Sequence, residues 1–170
     1  MEGAEVEYRA VLSLIYADMA SDLDDVVIVF ENSPSCISMA SAITALLMAR
    51  GKRVEAVPAA QFRNSARHAL FLMGPYRNDL AEAVASLLPY VERVAILHTP
   101  AYYAVEELAD FPKLIEGKEV RYAVREDPGE ITIYKVTARE GELKKSEVAR
   151  RKLSATELKI IRRYEMLNST

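Results

Sequence analysis

The chain has 170 residues, 51% of them apolar and 28% charged, with a net charge of −3. That is enough length for one substantial core and the composition of a globular protein, and no apolar run reaches the ~18 residues of a membrane span. The single cysteine, Cys36, excludes an internal disulfide and a Cys-based zinc site, and it fits a reducing cytoplasm. The start, MEGAEVEYRA, is acidic and does not read as a secretory signal. One Gln, four Asn and no Trp beside many Glu and Arg is a mildly thermophile-like usage. Charge is uneven along the chain. Residues 1–31 carry eight acids against one arginine, and residues 144–163 carry eight Lys or Arg against two Glu. The two ends read as solvated helix faces, or as an acidic and a basic docking surface.

In chain order, Glu5 to Leu23 reads as an amphipathic helix with Tyr8, Leu12, Ile15 and Met19 on one stripe. Asp22, Asp24 and Asp25 form a turn before a buried strand, Val26 to Phe30. A polar break, Glu31-Asn32-Ser33-Pro34-Ser35, leads into a helix that ends at Gly51. Ser33 suits its N-cap, Pro34 its first turn and Gly51 its stop. Lys52 to Pro58 is the next strand, completing a strand–helix–strand unit. Ala59 to His68 reads as a polar connection, Ala69 to Met73 as a strand and residues 74–78 as a turn. Asp79 to Val91 is helical through Leu80, Val84, Leu87, Leu88 and Val91, and Arg93 to Leu97 is a fourth strand ending in His98-Thr99-Pro100. Tyr102 to Ile115 is a helix broken near Pro112.

The periodicity then changes to two. Lys118 to Arg125 and Glu130 to Thr137, joined by Glu126-Asp127-Pro128-Gly129, predict an antiparallel hairpin suited to a sheet edge. Glu142 to Leu167 reads as a charged helix interrupted at Ser154, where Ser154 to Glu157 has the spacing of a capping box. The expected fold is α/β: an open, mainly parallel sheet with helices on both faces, a C-terminal antiparallel hairpin and a charged helix. The whole chain reads as one domain, with a core over 24–115, the hairpin over 118–137 and the charged helix over 142–167. No Gly-x-Gly-x-x-Gly and no P-loop lysine motif is present.

Ligands of such sheets bind at the carboxyl ends of the strands, so the ENSPS turn is the first candidate site. Ser33 and Ser35 are also good helix caps, and Cys36 suits a buried position on a small-residue helix. His98 at a strand end has no carboxylate beside it in sequence, so a Ser35–His98 hydrolase lacks its orienting acid. His68 carries no signal. Tyr102 and Tyr103 suit packing on the sheet or stacking against a ring. The basic stretch offers Lys144, Lys145, Arg150, Arg151, Lys152, Arg162 and Arg163 as a solvated face, a nucleic-acid face or a protein-docking element.

The stretch ENSPSCISMASAITALLMARGKRVEAVP resembles the opening of the DHH phosphoesterases, which include the RecJ nucleases. Their motif H-x-D-x-D-G-I-S-S-A falls on residues 31–40 without gaps. The family's His lies on Glu31, its two Asp on Ser33 and Ser35, and its Gly on Cys36, while Ile37, Ser38 and Ala40 keep the I-S-x-A core. A further family Asp falls on Gly74, and the Asp-His-His motif on Leu97, His98 and Thr99, with Pro100 after. The resemblance spans residues 24–115. It implies a fold in which these side chains hold two divalent metals, and here most ligands are Ser, Gly, Leu or Thr. It therefore implies an inactivated member with no catalytic residues, no metal and no cofactor. Inactivated RecJ-like domains are replication-fork components, and short archaeal versions associate with the GINS complex and the MCM helicase. GINS and MCM are thus the partners the resemblance implies, with nucleic acid at the basic C-terminal stretch and no membrane. A weaker resemblance is to SIS phosphosugar-binding domains, in which Ser33, Ser35 and Ser38 would bind a phosphate at a helix start.

Overall fold

A computed structural model describes residues 2–74 and 77–168. One seven-stranded sheet runs through the molecule in the order β2-β1-β3-β4-β5-β6-β7. The strands are β1 (Asp25–Phe30), β2 (Arg53–Pro58), β3 (Ala66–Leu72), β4 (Val91–Leu97), β5 (Glu119–Asp127), β6 (Glu130–Arg139) and β7 (Glu142–Lys152). The first five pair in parallel, and β6 and β7 add on antiparallel. The helices are α1 (Glu2–Met19), α2 (Pro34–Ala49), α3 (Leu80–Leu87), α4 (Thr99–Glu106), α5 (Phe111–Leu114) and α6 (Ala155–Leu167). The architecture is the α/β class that the periodicities predict, with a mostly parallel sheet and an antiparallel C-terminal part.

Strand alternation divides the core into two layers. Ile28, Leu70, Leu72, Val94, Ile96, Ile131 and Ile133 pack with residues of α1, α2 and α6. Val29, Phe71, Ala95, Leu97, Val120, Tyr122 and Val136 pack with α3, α4 and α5. The sheet therefore buries alternate residues on opposite faces, which is why its central strands are apolar throughout. Local chemistry sets the helix starts. Ser33 Oγ accepts from the Cys36 N–H at 3.3 Å, and Pro34 occupies the first turn of α2. Ser154 and Glu157 bond reciprocally at the start of α6, as a capping box requires.

The C-terminal third departs from expectation. Glu142 to Lys152 is not helical: it is β7, paired with β6 over ten residue pairs. Only Ala155–Leu167 of the expected charged helix forms. The cause is a tight turn at Glu140 (φ 55°) and Gly141 (φ 80°), two successive positive φ values of the kind that close a hairpin. Lys144, Lys145, Arg150, Arg151 and Lys152 thus stand on a strand, and Arg162 and Arg163 on α6. The hairpin of β5 and β6 is also not the edge. β5 pairs in parallel with β4 as a fifth crossover strand, and β7 forms the margin. Likewise β3 begins at Ala66, so His68 is a buried strand residue and not part of a polar connection.

One guanidinium fixes α1 to the parallel sheet. Arg121 of β5 is 7% exposed. Its Nη1 donates to Asp22 Oδ1 at 2.7 Å and to the Met19 carbonyl at 2.9 Å, its Nη2 to Asp22 Oδ2 at 3.0 Å, and its Nε to Glu119. The Asp22 turn is therefore an anchor of α1. The bonds from Arg121 hold the Asp22 carboxyl below its ordinary value of 3.8. Charged hydrogen bonds of this kind contribute ~1.5–3 kcal/mol, less here because Asp22 can return to water. Arg121→Met is expected to cost about 2 kcal/mol in urea denaturation. A depressed carboxylate stabilises above its unfolded pKa and loses that contribution as pH falls through the folded one. The acid-side fall in stability, below about pH 4, should accordingly be shallower in the variant.

Candidate functional site

β2 and β3 flank β1 on opposite sides, so the chain leaves β1 in both directions across the sheet. This switch in direction opens a crevice at the carboxyl ends of the strands. A cleft of about 820 Å³ lies there. Its floor contains Glu31 from the end of β1, Ser33 and Ser35 from the start of α2, and His98 and Thr99 from the end of β4. Tyr8, Leu12 and Tyr16 of α1 with Tyr164 of α6 form an opposite, more apolar wall. Tyr8 and Tyr164 stack at 3.9 Å, which joins the two helices over the cleft.

The Glu31 carboxylate is the centre of the floor, and both its oxygens are engaged. Oε2 accepts from the Gly74 N–H at 2.7 Å, across 43 positions of sequence. Oε1 accepts from Arg77, whose guanidinium also donates to Asp79 at 2.7 and 3.0 Å. A Cβ at Gly74 would stand 2.9 Å from Oε2, so the end of the Glu31 side chain would have to shift to admit one. Arg77 is the residue that sequence reading misses. Its only signal is that a carboxylate ending a buried strand needs a cation, and nothing in the spacing says which one.

His98 is 8% exposed, and among the described residues its Nε2 has no hydrogen-bond partner. Burial pushes its pKa down to about 4, against an upward pull from the Glu31 charge. The imidazole is therefore neutral at neutral pH. Thr99 Oγ1 is turned away to donate to the Ala123 carbonyl, and Ser33 Oγ is committed to its cap.

The structure thus brings Glu31, Ser33, Ser35, Cys36, Gly74, His98 and Thr99 to one cleft. Cys36 is largely buried there, and Leu97 is fully buried in the opposite core layer. Ser38 is exposed on α2 and does not line the cleft with Ser33 and Ser35. Glu31, Cys36 and His98 are the ligand-type side chains at the degenerate positions. Among the described residues no group of three His, Cys, Asp or Glu side chains converges to hold a metal ion. The basic set is dispersed. Arg151 bonds Asp18 at 2.6 Å and Glu157 at 2.7 Å, Arg150 bonds Glu147 at 2.7 Å, and Arg163 lies 3.8 Å from Glu7. Among the described residues no helix is long and apolar enough to cross a membrane. Comparison of the chain with protein-family models gives no match, and neither does comparison with curated proteins.

Two outcomes are expected. In Gly74→Ala the Glu31 carboxylate has to shift from a Cβ that would stand 2.9 Å from Oε2, and the loosened bond to the N–H should cost about 1 kcal/mol of unfolding free energy or less. For His98, the folded state binds fewer protons than the unfolded chain between about pH 4 and the ordinary histidine value of 6.5. Its contribution is whole above pH 6.5 and falls away as pH drops towards 4. His98→Gln should therefore flatten the stability curve across that window. An NMR titration of His98 with a midpoint above pH 6 would contradict the buried neutral ring.

Proposed function

We propose that the chain is a non-catalytic, DHH/RecJ-like interaction module that acts as a scaffold at the DNA replication fork, binding GINS, the MCM helicase or both. The observation that carries the non-catalytic half is the Glu31–Arg77 pair. A metal-dependent phosphoesterase needs carboxylates and imidazoles that still have negative charge or lone pairs to give to a cation. Here the one carboxylate at these positions is neutralised by Arg77 and bonded by Gly74 N–H. The neighbouring His98 is the one imidazole at these positions, and a single imidazole does not make a two-metal site. The cleft thus retains the layout of a strand-end site with its charge satisfied internally. The assignment of partners rests on the resemblance of residues 24–115 to RecJ-like domains.

A second reading, an SIS-like phosphosugar-binding domain, is favoured by one feature. Ser33 and Ser35 at the start of α2 face a cleft that also receives the start of α4. Backbone N–H groups at helix starts suit a phosphate. Against it, Ser33 Oγ is already a cap and Ser38 lies outside the cleft.

The two readings separate in one experiment. The chain is mixed with GINS and with MCM and analysed by size-exclusion chromatography, and its melting point is taken with manganese or with sugar phosphates. Co-elution with GINS or MCM and melting shifts below about 1 °C are expected. A site-specific ligand at a hundred times its Kd adds ~2.7 kcal/mol, which is several degrees for a chain of this size. Such a shift with a sugar phosphate and no co-elution would replace the scaffold reading with the second. A shift with manganese accompanied by phosphodiester cleavage would overturn the non-catalytic reading.

A further inference from the structure

We infer that the β2 margin of the sheet pairs with a second copy of this chain: the two β2 strands add antiparallel about Val54, and the outer flanks of the two α2 helices pack above them. This surface belongs to β2 and α2 alone and is independent of the fork reading.

β2 is a margin strand, with β1 its only strand neighbour among the described residues. The Arg53 N–H donates to the Asp24 carbonyl at 3.0 Å. Backbone groups alternate along a strand, so Arg53, Glu55 and Val57 turn theirs to β1, and Val54 and Ala56 turn theirs outward. Unpaired outward groups are what a further strand takes up. Side chains alternate as well. Val54 packs on the α2 layer and Val57 on the opposite one. Arg53 and Glu55 share the Val57 side, exposed, and neither has an ion pair among the described residues.

The chemistry of β2 selects its own copy and one register. Two copies related by a two-fold axis pair antiparallel, and the outward groups of Val54 and Ala56 limit the registers. In one, Glu55 stands opposite Glu55 of the other copy, and like charges directly opposite destabilise. In another, Pro58, which has no N–H, stands in a hydrogen-bonded position against Val54. In the remaining one, Val54 lies on the axis, the Ala56 N–H meets the Lys52 carbonyl, and Arg53 stands opposite Glu55 on both sides of the axis. That register keeps Pro58 beyond the paired stretch and sets every charge of β2 against its opposite.

α2 covers this margin and carries the other half of the surface. It has 16 residues and no charged side chain among them. A surface helix ordinarily has a charged or polar face, and one that is apolar all round is enclosed. Met39 lines the cleft with Leu12 and Tyr8 of α1. α1 lies on the side of α2 away from β2, since Arg121 fixes it to β5. The opposite flank, over the free margin, carries Ile37, Ser41, Thr44 and Met48, spaced i, i+4, i+7, i+11. Ile37 is 43% exposed and Met48 60%. α2 lies over β1 and β2. Across a paired β2 the two α2 helices would therefore stand about 10 Å apart, near the distance of packed helices. Running antiparallel, each places its Met48 toward the Ile37 half of the other. The surface is at the small end of stable interfaces, so a dissociation constant in the micromolar range is expected.

Sedimentation velocity of the full chain from about 2 to about 500 µM tests this. The mass should rise from one chain to two, and amide exchange at Val54 and Ala56 should slow as it does. Arg53→Glu and Glu55→Arg each set like charges opposite one another and should weaken the dimer about tenfold or more. Mixed in equal amounts, the two variants set opposite charges across the axis again and should associate as tightly as the natural chain. Ala56→Pro, with its fold checked by circular dichroism, removes an outward N–H and should leave the chain monomeric. Met48→Asp, which puts a charge on the helix flank, should do the same. A chain that stays monomeric throughout the range overturns the inference. So does a dimer that survives Ala56→Pro and both charge reversals, which places the contact elsewhere, β7 included. Failure of the mixed variants to associate overturns it as well.

Discussion

A carboxylate at the end of a buried strand must be compensated, and in this protein the compensation of Glu31 organises everything around the cleft. Its side chain is about a quarter exposed, too enclosed to rely on water alone. The partners come from one short segment after β3: the Gly74 N–H and the Arg77 guanidinium. Gly74 lets the carboxylate come this close, since a Cβ there would stand 2.9 Å from Oε2 and the side chain would have to shift. The contact also bolts the end of β1 to the end of β3, where the direction of the sheet switches and regular pairing stops. The same bonds that stabilise the crevice engage both oxygens of Glu31. Among the described residues no three ligand-type side chains converge there on a single point.

A second guanidinium does comparable work at the opposite end of the sheet. Arg121 holds the last turn of α1 through Asp22 and the Met19 carbonyl. α1 is thereby fixed at its C-terminal end, while its N-terminal half meets α6 through the Tyr8–Tyr164 stack. Since these helices form one wall of the cleft, the cleft's width depends on contacts at both ends of α1. In each clamp the bond that ties separate elements together joins residues distant in sequence, Glu31 to Arg77 and Asp22 to Arg121.

How much of this is legible in the sequence follows from where each segment sits. β1, α2, β3, α3 and β4 are buried on a defined face, and their periodicity or continuous apolar run shows it. β7 is exposed on nearly every residue, so no alternation marks it, and its Lys, Arg and Glu read as helix formers. The deciding signal was Glu140-Gly141, a turn pair that outweighs propensity once β6 is present to be paired. The Glu31, Ser33, Ser35 and His98 positions were legible because strand ends are where sites collect. Arg77 was not, because its role is defined only by a contact 46 residues away.

The uneven charge along the chain also changes meaning in three dimensions. Read linearly, it suggests an acidic surface and a basic surface. In the fold the two ends lie together: Asp18 pairs with Arg50 and Arg151, Asp22 with Arg121, and Glu7 approaches Arg163. Of the basic stretch, Arg151 and Arg163 thus meet acids of α1, while Arg50 and Arg121 take up Asp18 and Asp22, so part of the asymmetry is an internal seam. Exposed pairs in such a seam add little stability singly, and as a set they fix which helix lies over which strand. Lys144 and Lys145 lie at the far end of β7 from Arg151, outside that seam, and the Lys145 ammonium instead rests over the Tyr134 and Tyr122 rings of β6 and β5.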